Sequence, residues 1–372
     1  MQKPQLIREF SSAFADLGTF LPLALGLIVV AGMDPVGLLY GFGFFALATG
    51  LIYRRPIPVQ PMKAVAAMGI AGIAGTEVLV ATGILLGVTL IILSFTDVIG
   101  WLKGLFPKTV LYGMRLALAV SLIATITSYT EVSIWPVGLL LCVLVALQFG
   151  PAKTLSCLIV LLLGWYWLGA EWNSSQWSMQ FALPTYSFPS IDAMGAAFTA
   201  TYFPQLALTL TNALILTAVI AQEYFPESAK ELTERRFALS SGVANLLLAP
   251  IGAMPMCHGA GGLSAHYGLG SRTGWSIAIF GLTCLIVAFL FGAQATTILQ
   301  MVPNEVILTL VVYAAWVLAD PIKILKVRRS CQVIIVLMVP LTLWGGLLFA
   351  LIGGIILERL RSKLLEPQGA NA

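Results

Sequence analysis

This 372-residue chain is short of charge. It holds 20 Lys and Arg and 16 Asp and Glu, so 10% of its residues are charged, against about 25% in soluble domains. Apolar residues make up 59% and the mean hydropathy is +0.95. So few charges cannot cover a 39.8 kDa globule in water, which excludes soluble enzymes, nucleic-acid binders and disordered scaffolds. Histidine is scarcer still, with two in the chain, and no carboxylate stands in the motif around His258, so a zinc site is not expected. The five cysteines (Cys142, Cys157, Cys257, Cys284 and Cys331) are odd in number. None has metal-ligand spacing to another and four lie in apolar runs, which argues against a disulfide framework. No nucleophile–base pair or metal set is legible, so neither an enzyme nor a cofactor is expected. No small-residue cleavage site follows the first apolar run behind Lys3 and Arg8, so that run reads as a retained helix.

Long apolar runs are abundant, and they point to an all-α protein of the lipid bilayer. A spanning helix needs about 20 residues, although broken helices in transporters run shorter. Runs bounded by charge or by Gly and Pro fall at Phe14–Ala31, Val36–Tyr53, Met62–Ala74, Val78–Phe95, Thr109–Ser128, Val132–Phe149 and Thr154–Ala170. A polar stretch, Glu171–Asp192, follows, its Trp172 and Trp177 reading as interfacial. Seven more runs lie at Met194–Ala221, Phe237–Pro250, His258–Leu269, Trp275–Ala293, Glu305–Ala319, Cys331–Leu341 and Gly345–Leu357. With the N-terminus in the cytoplasm and fourteen crossings, every inner segment receives cations, among them Arg54, Arg55, Lys103, Lys108, Lys153, Lys230, Arg235, Arg236, Arg272, Lys323 and Arg359. The outer segments receive no Lys or Arg. The positive-inside rule thus favours fourteen segments in a cell membrane with both termini cytoplasmic, and the net charge of +4 belongs to membrane edges rather than to nucleic acid.

Seven crossings per half is an odd number, so the second half enters from the opposite side. Paired landmarks fit this: Pro61-Met62 with Pro255-Met256, Phe106-Pro107 with Val302-Pro303, and Phe14–Leu17 with Phe203–Leu206 lie at nearly matching distances along the two halves. The expectation is two inverted seven-segment repeats, residues 1–170 and 171–372. Two breaks stand at matching places. Arg54–Pro61 holds Pro56, Pro58 and Pro61; Ala249–Gly262 holds Pro250, Pro255, Gly252, Gly259, Gly261 and Gly262. Proline removes an amide donor and disfavours helix before it, so each break should run extended and resume as a half-helix, at Met62 in segment 3 and at about His258 in segment 10. Irregular backbone at membrane depth survives only inside protein or against a wet cavity. Two facing helix N-termini offer free amides and positive dipole ends, which suits an anion. Lys63, in the first turn of its half-helix, adds a formal charge.

At these residues the chain resembles the molybdate transporters related to the sulfate permeases. The resemblance is carried by Asp16-Leu17-Gly18-Thr19-Phe20-Leu21-Pro22, Pro58-Val59-Gln60-Pro61-Met62-Lys63-Ala64 and Pro255-Met256-Cys257-His258-Gly259-Ala260-Gly261-Gly262-Leu263. Phe14-Ala15 before Asp16 departs from the Gly expected there. The resemblance implies the fold of the sulfate permease and nucleobase transporter superfamily, with a core domain (segments 1–4 and 8–11) and a gate domain (segments 5–7 and 12–14). It also implies molybdate, or a related tetrahedral oxyanion such as sulfate or tungstate, as substrate. Only Glu358–Ala372 follow the last run, so no cytoplasmic regulatory domain is expected.

The candidate substrate shell is Thr19, Gln60, Met62, Lys63, Ala64, Gln205, Asn212, Cys257, His258, Gly259 and Ala260. Thr19 lies one turn after Asp16, and Gln205, Thr209 and Asn212 share a helix face; hydrogen bonding between helices is the alternative for that stripe. Asp16 and His258 are candidates for proton coupling, as in a symporter. For Asp16 a structural hydrogen bond is the alternative, for His258 a cap on its half-helix, and for Cys257 simple packing. Arg115 reads as snorkelling to the cytoplasmic side, with a cavity-facing position the alternative. His266 reads as structural. A homodimer is a further expectation. The rival functions are a nucleobase permease of the same superfamily, disfavoured because such permeases use carboxylates on segments 8 and 10 where this chain offers Asn212 and His258, and an anion channel.

Overall fold

A computed structural model describes residues 3–70, 72–104, 107–129, 132–150, 156–168, 179–300, 302–319 and 321–365. Lys153, Trp172 and Trp177 lie outside the described residues. The architecture is helical. In the first half run α1 (Lys3–Ser12), α2 (Leu17–Val29), α3 (Pro35–Tyr53), strand β1 (Gln60–Pro61), α4 (Lys63–Ile70), α5 (Thr76–Ser94), α6 (Val98–Gly104), α7 (Lys108–Tyr129), α8 (Ile134–Gln148) and α9 (Ser156–Leu168). The second half begins with one long helical segment made of α10 (Ile191–Ala197), α11 (Phe203–Leu208) and α12 (Thr217–Tyr224), joined through π-helical turns at Phe198–Tyr202 and Thr209–Leu216. Then come α13 (Glu234–Leu248), strand β2 (Met256–Cys257), α14 (Ala260–Gly268), α15 (Trp275–Phe291), α16 (Ala295–Gln300), α17 (Asn304–Ala319), α18 (Pro321–Lys326) and α19 (Arg329–Leu365). Helix α3 packs along α15, α5 along α13, and α7 along α19 and α17.

Each of the fourteen apolar runs coincides with helix, and the departures lie at the edges. The first run turns at residues 13–16 and becomes helical only at Leu17, so Asp16 stands just before the helix rather than inside it. Helix α1 precedes it, presenting Leu6, Ile7 and Phe10 outward and burying Glu9. The Glu9 carboxylate accepts from Ser271 Oγ at 2.6 Å and from the amides of Arg272 and Thr273 at 2.9 Å, tying α1 to the α14–α15 connection. The last two runs are two helices that meet at a kink at Gly346, within the span α19, and the Gly346 φ of 81° is one an L side chain would resist. Arg115 does not snorkel. It is 3% exposed on α7 and pairs with Glu223 on α12, which also pairs with Lys323 on α18.

Among the described residues, four helical stretches, Pro35–Tyr53, Thr76–Ser94, Gln205–Tyr224 and Arg329–Gly346, are long and apolar enough to cross a membrane. Large apolar side chains stand open on the outer surface, with Trp135, Tyr166 and Ile191 each about nine-tenths exposed. Exposed apolar surface of this kind marks a face that meets a membrane or another protein.

Candidate functional site

The two breaks meet in the interior. Asp34 caps α3 by accepting from the Val36 and Gly37 amides at 3.1 Å. That helix ends at Arg54 in a left-handed conformation, φ 53°, and the prolines that follow hold the chain extended into β1. On the other side α13 yields to a short 3-10 turn and then to Gly252, φ 83°. Strands β1 and β2 pair antiparallel, Gln60 opposite Cys257 and Pro61 opposite Met256, and the Met62 amide donates to the Pro255 carbonyl at 2.9 Å. The Met256 backbone groups are met by a side chain. Asn245 on α13 donates to the Met256 carbonyl at 2.6 Å and accepts from the Met256 amide at 2.8 Å. These non-helical backbone groups are thereby satisfied inside protein, as a low-dielectric interior demands. Helix α4 follows β1 and helix α14 follows β2 in the chain.

Around the ladder the polar side chains form one cluster. The Gln60 carboxamide donates to both Asp16 oxygens, at 2.9 and 2.7 Å; the carboxylate that might have capped α2 is turned to Gln60 instead. Thr19 lies against Asp16, its amide bonded to the Asp16 carbonyl at 3.0 Å. Gln60 and Asp16 occupy the space beside Gly259 and Gly262, since a Cβ at Gly259 would collide with the Gln60 carboxamide and one at Gly262 with the Asp16 carboxylate. Lys63 carries its ammonium in the same region, in electrostatic reach of Asp16 and Cys257. That ammonium is buried and has no hydrogen-bond partner.

The two helix starts differ. At α4 the Gln205 side chain caps the first turn, its carbonyl oxygen accepting from the amides of Ala64 at 2.9 Å and Val65 at 3.2 Å, while its Nε2 donates to Thr209 Oγ1 at 2.9 Å. At α14 the first residue before the helix is Gly259, and no side chain caps the turn that follows. His258 does not cap it either. One ring nitrogen is 2.9 Å from the Pro58 carbonyl and the other 2.8 Å from Ser240 Oγ, and the rings of Phe45, Tyr53 and Phe237 enclose the imidazole. His258 therefore fastens the second break to the first and to α13. Asn212, buried in the π-helical turn, keeps its Oδ1 without a hydrogen-bond partner. Such π turns concentrate at functional sites, and no residue pattern announces them.

The structure thus brings Asp16, Thr19, Gln60, Met62, Lys63, Ala64, Gln205, Cys257, His258, Gly259 and Ala260 around one ladder. Sequence reasoning missed Asn245, Ser240 and the Pro58 carbonyl, which hold the ladder; a polar Asn within an apolar run was the one available signal.

A profile described as the molybdate transporter of the MFS superfamily matches residues 8–122 and 197–318, more than half the chain. The chain belongs to the molybdate transporter family. This is a family of transporters, not of enzymes. It is 28% identical over 388 aligned residues to molybdate transporter 2 of Arabidopsis thaliana, covering 90% of this chain and 82% of that one. In structure it is similar to SLC26A9, with a TM-score of 0.58 at 13% identity over 96% of this chain, spanning 65% of the length of SLC26A9. It is also similar to the transmembrane domain of the cyanobacterial bicarbonate transporter BicA, with a TM-score of 0.54 at 16% identity, covering 96% of this chain and 98% of that one. The fold is accordingly the membrane fold of the SLC26-type anion transporters.

Proposed function

We propose that this protein is a secondary transporter that moves molybdate, or a closely related tetrahedral oxyanion such as sulfate or tungstate, by alternating access. The anion binds between the first turns of α4 and α14. The single observation that carries this reading is the buried, unpartnered Lys63 ammonium beside two helix N-termini that start from one shared ladder. A dianion entering a low-dielectric interior loses hydration worth far more than one lysine returns. Each helix terminus contributes roughly half a positive charge together with amide donors, so two termini and Lys63 come near to balancing it. Neutral donors also release the ion again, which a ring of arginines would hinder. Thr19 and Asn212 complete the shell, and Asp16, joined to Gln60, is the group placed to couple a proton to the anion.

In this reading the chain forms fourteen segments in two inverted repeats, residues 1–170 and 171–372, with both termini cytoplasmic and a homodimer as the assembly. The Arg115–Glu223–Lys323 network joins the core segment ending in α12 to the gate segments, and it opens and re-forms as the core moves. Uptake of radiolabelled molybdate into proteoliposomes, with and without a pH gradient, tests the function. Saturable uptake that an inward proton gradient accelerates is expected. Uptake of a nucleobase instead would favour the permease, and flux linear in concentration a channel.

A further inference from the structure

We propose that Gln205 is an internal stand-in for the substrate: it occupies the α4 amides when the site is empty and must be displaced for the anion to bind. This rests on the oxyanion site proposed above. The Gln205 side chain is 1% exposed. Its carbonyl oxygen accepts two amide hydrogen bonds at 2.9 and 3.2 Å, from the turn whose dipole and neighbouring ammonium favour negative charge. A carboxamide oxygen is a weak acceptor with only partial charge, so it fills this place without neutralising it, and the Lys63 ammonium stays unpartnered. The hydrogen bond from Nε2 to Thr209 Oγ1 at 2.9 Å holds the carboxamide in this orientation. Thr209 opens the π-helical turn that carries Asn212, so displacement of Gln205 is felt by the element bearing the unpartnered Asn212 Oδ1. The second helix start has no equivalent plug.

The consequence is a threshold for selectivity. An incoming ion must accept from the α4 amides better than a carboxamide does. A doubly charged oxyanion clears that threshold, while a singly charged halide gains much less from Lys63 and the helix ends.

The test compares wild-type protein, Gln205→Met and Gln205→Glu, purified full length, by titration with molybdate and with chloride and by thermal melting in ion-free buffer. Met keeps the length and volume and removes the competing oxygen. It should bind molybdate about three- to tenfold more tightly, the range one neutral hydrogen bond spans, and should bind chloride detectably where wild type does not. Glu supplies a permanent anion to the same amides. It should abolish molybdate binding and raise the melting temperature. Equal or weaker molybdate binding by the Met variant overturns the inference and makes Gln205 an ordinary ligand, and so does undiminished binding by the Glu variant, which remains informative if the Met variant fails to fold. Wild-type protein that binds no molybdate, tungstate or sulfate would break the site reading itself, a result distinguishable before any variant is made.

Discussion

The two breaks solve one problem with different chemistry. The first is stiffened by three prolines, carries the formal charge on Lys63, and has its helix start covered by Gln205. The second is opened by glycines, carries no charge, leaves its helix start uncapped among the described residues, and is anchored through its own His258 and by Asn245 of α13. A site that must bind and release a dianion benefits from this division. In the proposed reading one side supplies charge and a threshold, and the other supplies backbone amides that no side chain caps among the described residues. The close fit of Gln60 and Asp16 against Gly259 and Gly262 joins the two sides.

The largest effect should come from closing the open side. Gly259 has an ordinary extended φ of −153°, so the obstacle to a side chain there is space rather than strain: any Cβ meets the Gln60 carboxamide. Gly259→Leu should abolish molybdate binding by titration. Gly353→Leu on α19, where the added Cβ meets only a flexible Leu341 methyl at 3.1 Å, should bind as wild type. Equal binding by the two variants would mean the glycine serves packing alone. Removing the charge from the other side comes next. Lys63→Gln should weaken molybdate binding more than tenfold with the fold retained, because a buried charge-assisted hydrogen bond is worth about 1.5–3 kcal/mol and a factor of ten is 1.4 kcal/mol. Unchanged affinity would show that Lys63 points away from the ion. The smallest effect on binding should come from the anchor. His258→Phe leaves the Pro58 carbonyl without its partner, a cost of about 1–3 kcal/mol in stability, visible as earlier thermal unfolding. Molybdate affinity should fall less than in Lys63→Gln. A larger loss of affinity than of stability would return His258 to the substrate shell.

The positions of the breaks were legible in the sequence because proline and glycine act locally. Pro56, Pro58 and Pro61 stop a helix wherever the chain lies, and the apolar runs on either side locate the helices to within a few residues. Lys63 could be placed at a helix start for the same reason. What could not be read was tertiary. The Gln205 cap depends on two elements some 140 residues apart in sequence, and its spacing with Thr209 and Asn212 says only that they share a face. His258 looked available for substrate because its partners, a backbone carbonyl of the first break and Ser240, leave no pattern. The π-helical turns shift the Asn212 face relative to an ideal helix, so the stripe argument put these residues on one face without their orientation. Helix α1 escaped notice because its apolar face is short, and Glu9 reads as a surface charge until the connection it binds is in place.

The account stands most directly on where the anion sits. A structure of the protein with tungstate bound, located by the anomalous signal of tungsten, measures it. The expected position is between α4 and α14, within hydrogen-bond reach of the Lys63 ammonium and the amides of Ala260–Gly262, with the Gln205 carbonyl oxygen withdrawn from Ala64 and Val65. Tungsten found elsewhere, for example in the cavity bounded by Lys323, Trp316 and Tyr267, with the Gln205 cap intact, would contradict the account.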